Sequence, residues 1–192
     1  MMLIVAAVPQ ELRSFRPGNG SGAGVQCLVT GMGGRAAGEA VRRRLSAGGV
    51  NLVVSTGFAG GVRPGFAVGD LVMASEVIQA SSGQRRRRPN ASFFGLDGLA
   101  CTGPFVTVDR VLPEPRLKSE MGARFGAIAV EMESFAVAHA AEEAGVAWVA
   151  VRAILDPMET KLQWWKLFRF LRTMRTASGA LAGGLHSLIE RG

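Results

Sequence analysis

Two short segments of the chain place charged side chains at the ends of apolar runs. The first reads IAVEMES and contains Glu131 and Glu133; the second reads VAVRAILD and contains Arg152 and Asp156. Buried carboxylates without partners are costly, so such groups are candidates for acid–base or electrostatic catalysis. Two plainer interpretations stay open. Glu133 can be a charge that favours a helix start, and Arg152 with Asp156 can form an ion pair before an Asp-Pro turn.

Two glycine-rich segments are weaker candidates. Gly31–Ala36 fits the pattern G-x-G-x-x-A of a dinucleotide site. Such a site also needs an acidic residue about 20 positions later, and Asn51–Ser55 offers none, so we interpret the segment as a tight turn. Ser55–Gly61 reads STGFAGG and would let backbone amides approach a ligand, although a plain glycine-rich loop explains it equally well.

Metal and redox chemistry find little support in the sequence. His139 and His186 lack metal-ligand spacing, so we expect no metal and no cofactor. Cys27 and Cys101 are far apart and lie in or near apolar runs. This pattern is typical of buried, reduced thiols in a cytoplasmic protein.

Bulk composition indicates a globular chain. Apolar residues make up 48% and charged residues 19%, which excludes whole-chain disorder. The net charge of +7 and the pI near 10.9 would suit an anionic partner. Charge is the only sign of nucleic acid, so we expect no nucleic-acid binding. The apolar start MMLIVAAVP lacks a basic segment and a cleavage site, which favours a first buried strand over a signal peptide.

Apolar runs and helical patterns alternate along the chain. The predicted buried strands are Leu3–Val8, Val25–Thr30, Asn51–Ser55, Asp70–Gln79, Ala127–Glu131 and Ala147–Leu155. The predicted helices are Arg35–Ala47 and Ser134–Ala144, and Ser81–Asn90 is predicted to be an exposed basic loop. The alternation predicts one α/β domain over residues 1–192, a three-layer α/β/α arrangement around a mixed, mostly parallel central sheet. Ligands in such sheets bind beyond the carboxyl ends of strands.

The segments STGFAGG with VGD, then AVEMES, then VAVRAILD, in this order, resemble the nucleoside phosphorylase and nucleosidase superfamily. Within it the chain is most similar to methylthioadenosine/S-adenosylhomocysteine nucleosidases and related hydrolytic members. The resemblance covers Leu3 to Asp156. It implies hydrolysis of the N-glycosidic bond of a purine nucleoside, with adenine as the base, no cofactor, and a homodimer or higher homo-oligomer. Phosphorolysis and non-catalytic nucleoside binding are the alternatives.

The resemblance also implies roles for individual residues. Asp156 matches the acid that protonates the imidazole ring of the purine, and its pKa is expected to be raised by burial. Arg152 matches an arginine that helps to hold this region and the nucleophile, and Glu11 matches the carboxylate that orients or activates water. Glu133 matches the group that holds the ribose hydroxyls, and Met132 the side chain under the sugar. The expected substrate contacts are completed by Glu131, Phe58, Ala59, Gly60 and Val106.

Three positions depart from the pattern of the superfamily. Phosphorylases hold phosphate with an arginine and, three residues later, a serine or threonine; Ser55 and Phe58 stand at these positions. This favours water as the nucleophile, although hydrolases often have serine where Phe58 stands. Leu155 precedes the acid where a hydroxyl often assists it.

Residues 160–192 form a basic, aromatic tail predicted to be helical. It contains Trp164, Trp165, Phe168 and Phe170, and the pair Gly183–Gly184 is predicted to interrupt it. A helix packed on the sheet is the favoured interpretation, and peripheral contact with the inner face of the membrane is the alternative. Nucleosidases of hopanoid biosynthesis, which act on a lipid-linked adenosyl substrate, resemble this chain in the Asp-Pro after the catalytic strand and in a basic tail.

Overall fold

The structure, a computed structural model, describes residues 1–16, 24–89, 100–159 and 167–191. The strands are β1 Met2–Ala6, β2 Val25–Val29, β3 Leu52–Gly61, β4 Leu71–Gln79, β5 Arg85–Arg87, β6 Cys101–Thr107, β7 Ala129–Glu131 and β8 Ala147–Asp156. The helices are a 3₁₀ helix Pro9–Leu12, α1 Gly34–Leu45, α2 Pro115–Phe125, α3 Ser134–Glu143 and α4 Leu167–Arg191.

All eight described strands belong to one mixed sheet. The pairs β1–β2, β1–β3, β3–β8, β4–β6 and β6–β7 are parallel, whereas β3–β7, β4–β5 and β4–β8 are antiparallel. Strand β3 pairs with β1 along its first half and with β7 at Gly60 and Gly61. Because β8 bridges β3 and β4, the strands β3, β8, β4, β6 and β7 close into a ring. The sequence predicted the mixed sheet but not this closure.

Helices cover both faces of the sheet, as predicted. Successive strand residues point to opposite faces. Val53 packs in the same core cluster as Val41 of α1 and Ala138 of α3. Its neighbour Val54 packs in the cluster that contains Leu185 of α4. This three-layer arrangement buries most residues of the central strands β3 and β8, which explains their largely apolar sequences.

Two predicted elements need correction. The basic segment predicted as a loop contains strand β5, which pairs with β4. Its arginines are held by carboxylates, since Arg85 bonds Glu76 and Arg86 bonds Glu142 of α3. Strand β2 is an edge strand and not a buried one, and the thiol of Cys27 on it is exposed, contrary to the prediction.

The tail is helical, and α4 runs without interruption through Gly183 and Gly184. Gly184 faces the sheet, where a Cβ atom would lie 3.0 Å from Leu71, whereas a Cβ on Gly183 would meet nothing within 4 Å. The tryptophans Trp164 and Trp165, and the side chains of Phe168 and Phe170, lie outside the described residues. Within the described part of the chain, no helix has the length and apolar character needed to cross a membrane.

We expect Gly183→Ala to stabilise the protein by about 0.5–1 kcal/mol, because alanine in an exposed helix interior loses less conformational entropy than glycine. Urea unfolding at equilibrium measures this. Gly184→Ala is the matched control and should show no such gain, because its new methyl group meets Leu71 at 3.0 Å. Destabilisation by Gly183→Ala would contradict a continuous helix.

Candidate functional site

A cavity of about 410 Å³ opens where strand ends meet. Its walls are mainly apolar, and four carboxyl groups face it. The lining residues are Ala7, Val8, Gln10, Glu11, Met32, Phe58, Ala59, Gly60, Val108, Val111, Leu112, Val130, Glu131, Met132, Glu133, Leu155, Asp156 and Met174. An apolar pocket with a few convergent polar groups is typical of a small-molecule site.

Glu11 is fixed by backbone amides. One carboxylate oxygen accepts hydrogen bonds from the N–H groups of Ala7 (2.8 Å) and Val8 (3.1 Å), and the other accepts one from Phe58 (2.9 Å). The close approach requires glycine at position 57, because a Cβ there would overlap the Glu11 carboxylate, and Gly57 has a φ of 144°. Glu11 is therefore held rigidly at the edge of the cavity.

Glu131 and Arg152 form a buried ion pair beneath the cavity. The Arg152 guanidinium lies 2.8 Å from Glu131, and it also donates to the hydroxyls of Ser55 (3.0 Å) and Ser134 (2.8 Å). Burial alone would raise the pKa of Glu131, but Arg152 and hydrogen bonds from Thr107 and the backbone hold the pKa below its usual value. Arg152 is 1% exposed and absent from the cavity lining. Arg152 therefore contacts the site through Glu131, and its part in holding the nucleophile stays a prediction.

Glu133 has a different environment. Its carboxylate accepts a 2.7 Å hydrogen bond from the N–H of Gly33, in the glycine-rich turn between β2 and α1. Burial raises the pKa of Glu133 to about 7, and the carboxylates of Glu131 and Glu11 also raise it, against the lowering effects of Arg152 and the Gly33 amide. The glycine-rich turn lacks the acidic residue of a dinucleotide site, but its Gly33 amide holds the Glu133 carboxylate at the cavity.

Asp156 reaches the cavity from the end of β8 and is 8% exposed. On its other side, one oxygen lies 2.8 Å from the ammonium of Lys118, which is fully buried. Lys118 belongs to none of the motifs identified in the sequence. One signal was available: Lys118 shares a helix face with Gly122 and Phe125, at the i, i+4, i+7 spacing of a buried stripe.

The remaining predicted contacts fall into two groups. Met132, Phe58, Ala59 and Gly60, which are predicted to contact the substrate, line the cavity, whereas Val106 does not. Val106 is fully buried in a core cluster with Val108, and Val108 is the residue that lines the cavity. Further lining residues that the sequence did not indicate are Met32, Val111, Leu112 and Met174.

The cavity offers no cation of its own among the residues the structure describes. Ser55, at the position where phosphorylases have arginine, is 2% exposed and bonded to Arg152. Phe58, three residues later, presents an apolar ring to the cavity. Across the same described ranges, no cluster of three or more histidine, cysteine or acidic side chains is arranged to hold a metal ion.

A mixed sheet between helical layers, with carboxyl groups around an apolar cavity, defines an α/β protein with a candidate small-molecule site. The chain belongs to the phosphorylase superfamily, whose family model matches residues 8–190. It is similar to the 5′-methylthioadenosine/S-adenosylhomocysteine nucleosidases of Geobacillus kaustophilus (31% identity) and Geobacillus thermodenitrificans (30%). Each match covers 130 residues, 55% of this chain and 55% of the relative, so it spans about half the length of these curated relatives.

Solved structures share the fold. The 5′-methylthioadenosine/S-adenosylhomocysteine nucleosidase of Streptococcus pneumoniae, with a transition-state inhibitor, has a TM-score of 0.78 at 20% identity, over 99% of this chain and 98% of that chain. The nucleosidase of Colwellia psychrerythraea, in complex with adenine, has a TM-score of 0.79 at 21% identity, over 99% and 94%. A futalosine hydrolase mutant of Helicobacter pylori has a TM-score of 0.78 at 17% identity, over 98% of each chain.

The raised pKa of Glu133 predicts a pH-dependent stability. Between pH 4.5 and about 7 the folded protein binds more protons at Glu133 than the unfolded chain does. The contribution of Glu133 is therefore most favourable below pH 4.5 and is lost as pH rises towards 7, by up to about 1.4 kcal/mol per pH unit. We expect Glu133→Gln to gain stability relative to the wild type as pH rises from about 5 to about 8.

Urea unfolding at both pH values measures this difference. Glu39→Gln, at an exposed position of α1, is the control and should shift stability equally at the two pH values. A constant difference between Glu133→Gln and the wild type would contradict the burial of a titrating carboxyl at this site.

Proposed function

We propose that the protein hydrolyses the N-glycosidic bond of a purine nucleoside and releases adenine. The observation that carries the proposal is that Asp156, Glu133 and Glu11 face one cavity. They arrive from three separate parts of the chain, the end of β8, the start of α3 and the 3₁₀ helix. Membership of the phosphorylase superfamily supports the same chemistry.

The three carboxyl groups suit the charges that develop in such a reaction. Breaking the bond leaves negative charge on the base and an oxocarbenium-like sugar. Asp156 would act as the general acid towards the imidazole ring of the base, a contribution of about 10²–10⁴-fold. Glu133 would bind the ribose hydroxyls and Glu11 would orient the attacking water, and their negative charge would stabilise the cationic sugar. Met132 would pack under the sugar.

Water, and not phosphate, is the proposed nucleophile. A phosphate ion in an apolar cavity needs a cationic partner. The two cations nearest the cavity carboxylates among the described residues, Arg152 and Lys118, are already bonded to Glu131 and Asp156. Phosphorolysis is therefore the weaker alternative, and simple nucleoside binding without turnover is the second.

The substrate is proposed to carry an apolar group on the ribose. Several apolar residues line the cavity, namely Phe58, Val111, Leu112, Leu155 and Met174. The curated relatives are named for methylthioadenosine and S-adenosylhomocysteine, and a thioether would suit this apolar lining. A lipid-linked adenosyl compound of hopanoid biosynthesis is the finer proposal. The resemblance of the basic tail to that of hopanoid-associated nucleosidases supports it.

Hydrolase activity predicts release of free adenine from methylthioadenosine, adenosine or an adenosyl lipid, and less base from inosine. Chromatography with and without inorganic phosphate measures it, and a phosphate requirement would instead identify a phosphorylase.

Asp156→Asn should lose turnover by about 10²-fold or more while remaining folded. Asp109→Asn, at an exposed aspartate, is the control. Near-normal turnover by Asp156→Asn would reject Asp156 as the acid.

The protein is also proposed to be a cytoplasmic homodimer or higher homo-oligomer. Met32 (71% exposed) and Val111 (56% exposed) are large apolar side chains at the cavity, and a second subunit would cover them. Light scattering on a sizing column tests this, and a monomer would reject it.

Peripheral membrane contact through the tail is a separate proposal. Co-sedimentation with anionic liposomes at low salt tests it, and an absence of binding would exclude it.

A further inference from the structure

Lys118 is a buried cation joined to the candidate acid. Its ammonium lies 2.8 Å from a carboxylate oxygen of Asp156 and 2.8 Å from the backbone carbonyl oxygen of Pro157. The Lys118 side chain is 0% exposed, whereas the Asp156 side chain is 10% exposed, at the cavity. The ion pair therefore lies behind the acid, with Asp156 between Lys118 and the space a ligand would fill.

The fold brings Lys118 to this place through a close contact of α2 with the sheet. Gly122, one turn after Lys118, packs against the backbone of Val62 just after β3, and a Cβ at position 122 would overlap the Val62 carbonyl oxygen. The aliphatic part of Lys118 passes Gly60, where a Cβ would lie 3.6 Å from the lysine Cδ atom. The absence of side chains at two positions thus allows a surface helix to deliver its ammonium under the cavity.

Burying an ammonium is expensive, and a hydrophobic residue at such a position would usually cost less free energy. Packing alone therefore gives no reason for lysine on the apolar stripe of α2. The hydrogen bonds to Asp156 and Pro157 tie this ammonium to the segment that carries the candidate acid. The interaction fixes the orientation of the carboxylate and stabilises its ionised form.

We propose that Lys118 is a positioning residue that orients Asp156 and keeps it ionised until a nucleoside occupies the cavity. The inference rests on the proposed hydrolase function. A protonated carboxyl beside an ammonium is a stronger acid than an isolated buried one, so Lys118 favours proton transfer from Asp156 to the base. The pair, and not burial alone, sets the acidity of the site.

The protons balance without a change at Lys118. Asp156 takes one proton from solvent and gives it to the imidazole-ring nitrogen of the base as the N-glycosidic bond breaks and its electrons pass to the base. The attacking water bonds to the sugar carbon and returns one proton to solvent. The ammonium keeps its three protons throughout.

Other charged groups also act on Asp156. Among the described residues they are Glu11 on the 3₁₀ helix, Glu131 on β7, Glu133 before α3 and Arg152 on β8. The three carboxylates favour a neutral Asp156, so Lys118 opposes them. Removal of Lys118 should therefore shift Asp156 strongly towards its neutral form.

Aspartate-specific ¹³C labelling tests the charge of Asp156 without any need for turnover. The chain has four aspartates, Asp70, Asp97, Asp109 and Asp156, and Asp156→Asn assigns the signal. We expect the carboxylate form of Asp156 in the free wild-type protein near pH 7. A neutral carboxyl under these conditions would overturn the inference, whether or not any nucleoside is cleaved.

Lys118→Met removes the charge and keeps a long apolar side chain. We expect the Asp156 titration, and the alkaline limb of the kcat profile, to move up by about 1–3 pH units. On the acidic plateau, where Asp156 is protonated in both proteins, the weaker acid should lower kcat by about tenfold with KM nearly unchanged. Lys118→Arg should restore most of the pH profile. Arg116→Met, on the same helix with a side chain 88% exposed, is the control and should match the wild type.

The outcomes separate the two proposals. A wild-type protein that releases no adenine rejects the hydrolase function, while the labelled spectra still report the Lys118–Asp156 pair. If the wild type is active and folded Lys118→Met has the same pH profile, the proposed role of Lys118 is rejected. Circular dichroism establishes that each variant is folded, and the wild-type spectrum decides the charge of Asp156 if Lys118→Met does not fold.

Discussion

The site depends on the compensation of buried negative charge. Glu131, Glu133, Glu11 and Asp156 surround one apolar cavity, and ionised carboxylates in such surroundings are unstable without partners. Each receives a different compensation: a guanidinium for Glu131, one glycine amide for Glu133, three amides for Glu11 and an ammonium for Asp156. Because the partners differ, the four side chains lie in different electrostatic environments, which the proposed reaction requires.

The closed ring of strands makes this compensation possible. Strand β8 lies between β3 and β4, and its pairing with β3 shifts register between Ala59 and Gly60, next to Asp156. The same strand carries Arg152 inward to Glu131 and Asp156 outward to the cavity. A single strand thus supplies both the cation that pairs with Glu131 and the carboxyl group proposed to act as the acid at the cavity.

Local sequence patterns predicted much of this architecture. Apolar runs located most buried strands, and the charged ends of β7 and β8 located three of the four carboxylates. The helix Gly34–Leu45 and the helix Ser134–Glu143 also lie where periodicity placed them, within a few residues. These features were predictable because burial and periodicity act over a few neighbouring residues.

Features that depend on distant contacts were not predictable in this way. The pair Lys118–Asp156 joins residues 38 positions apart, and Arg85–Arg87 became a strand because β4 offered an edge and Glu76 and Glu142 offered charges. Val106 was predicted to contact the substrate, but its side chain is buried in the core. A resemblance locates a segment near the site more reliably than it tells which way one side chain points. In each case the missing information was which part of the chain comes to lie next to the residue.

The contact of Gly122 with the Val62 backbone has a consequence for how this sequence can change. Every substitution at position 122 adds at least a methyl group where the neighbouring carbonyl oxygen already lies. The outward face of α2, with Arg116 and Glu120 exposed, carries no such restriction. Sequence drift in this helix should therefore be confined to one side, and a library of variants that retained activity would keep glycine at 122 while its solvent-facing neighbours varied freely.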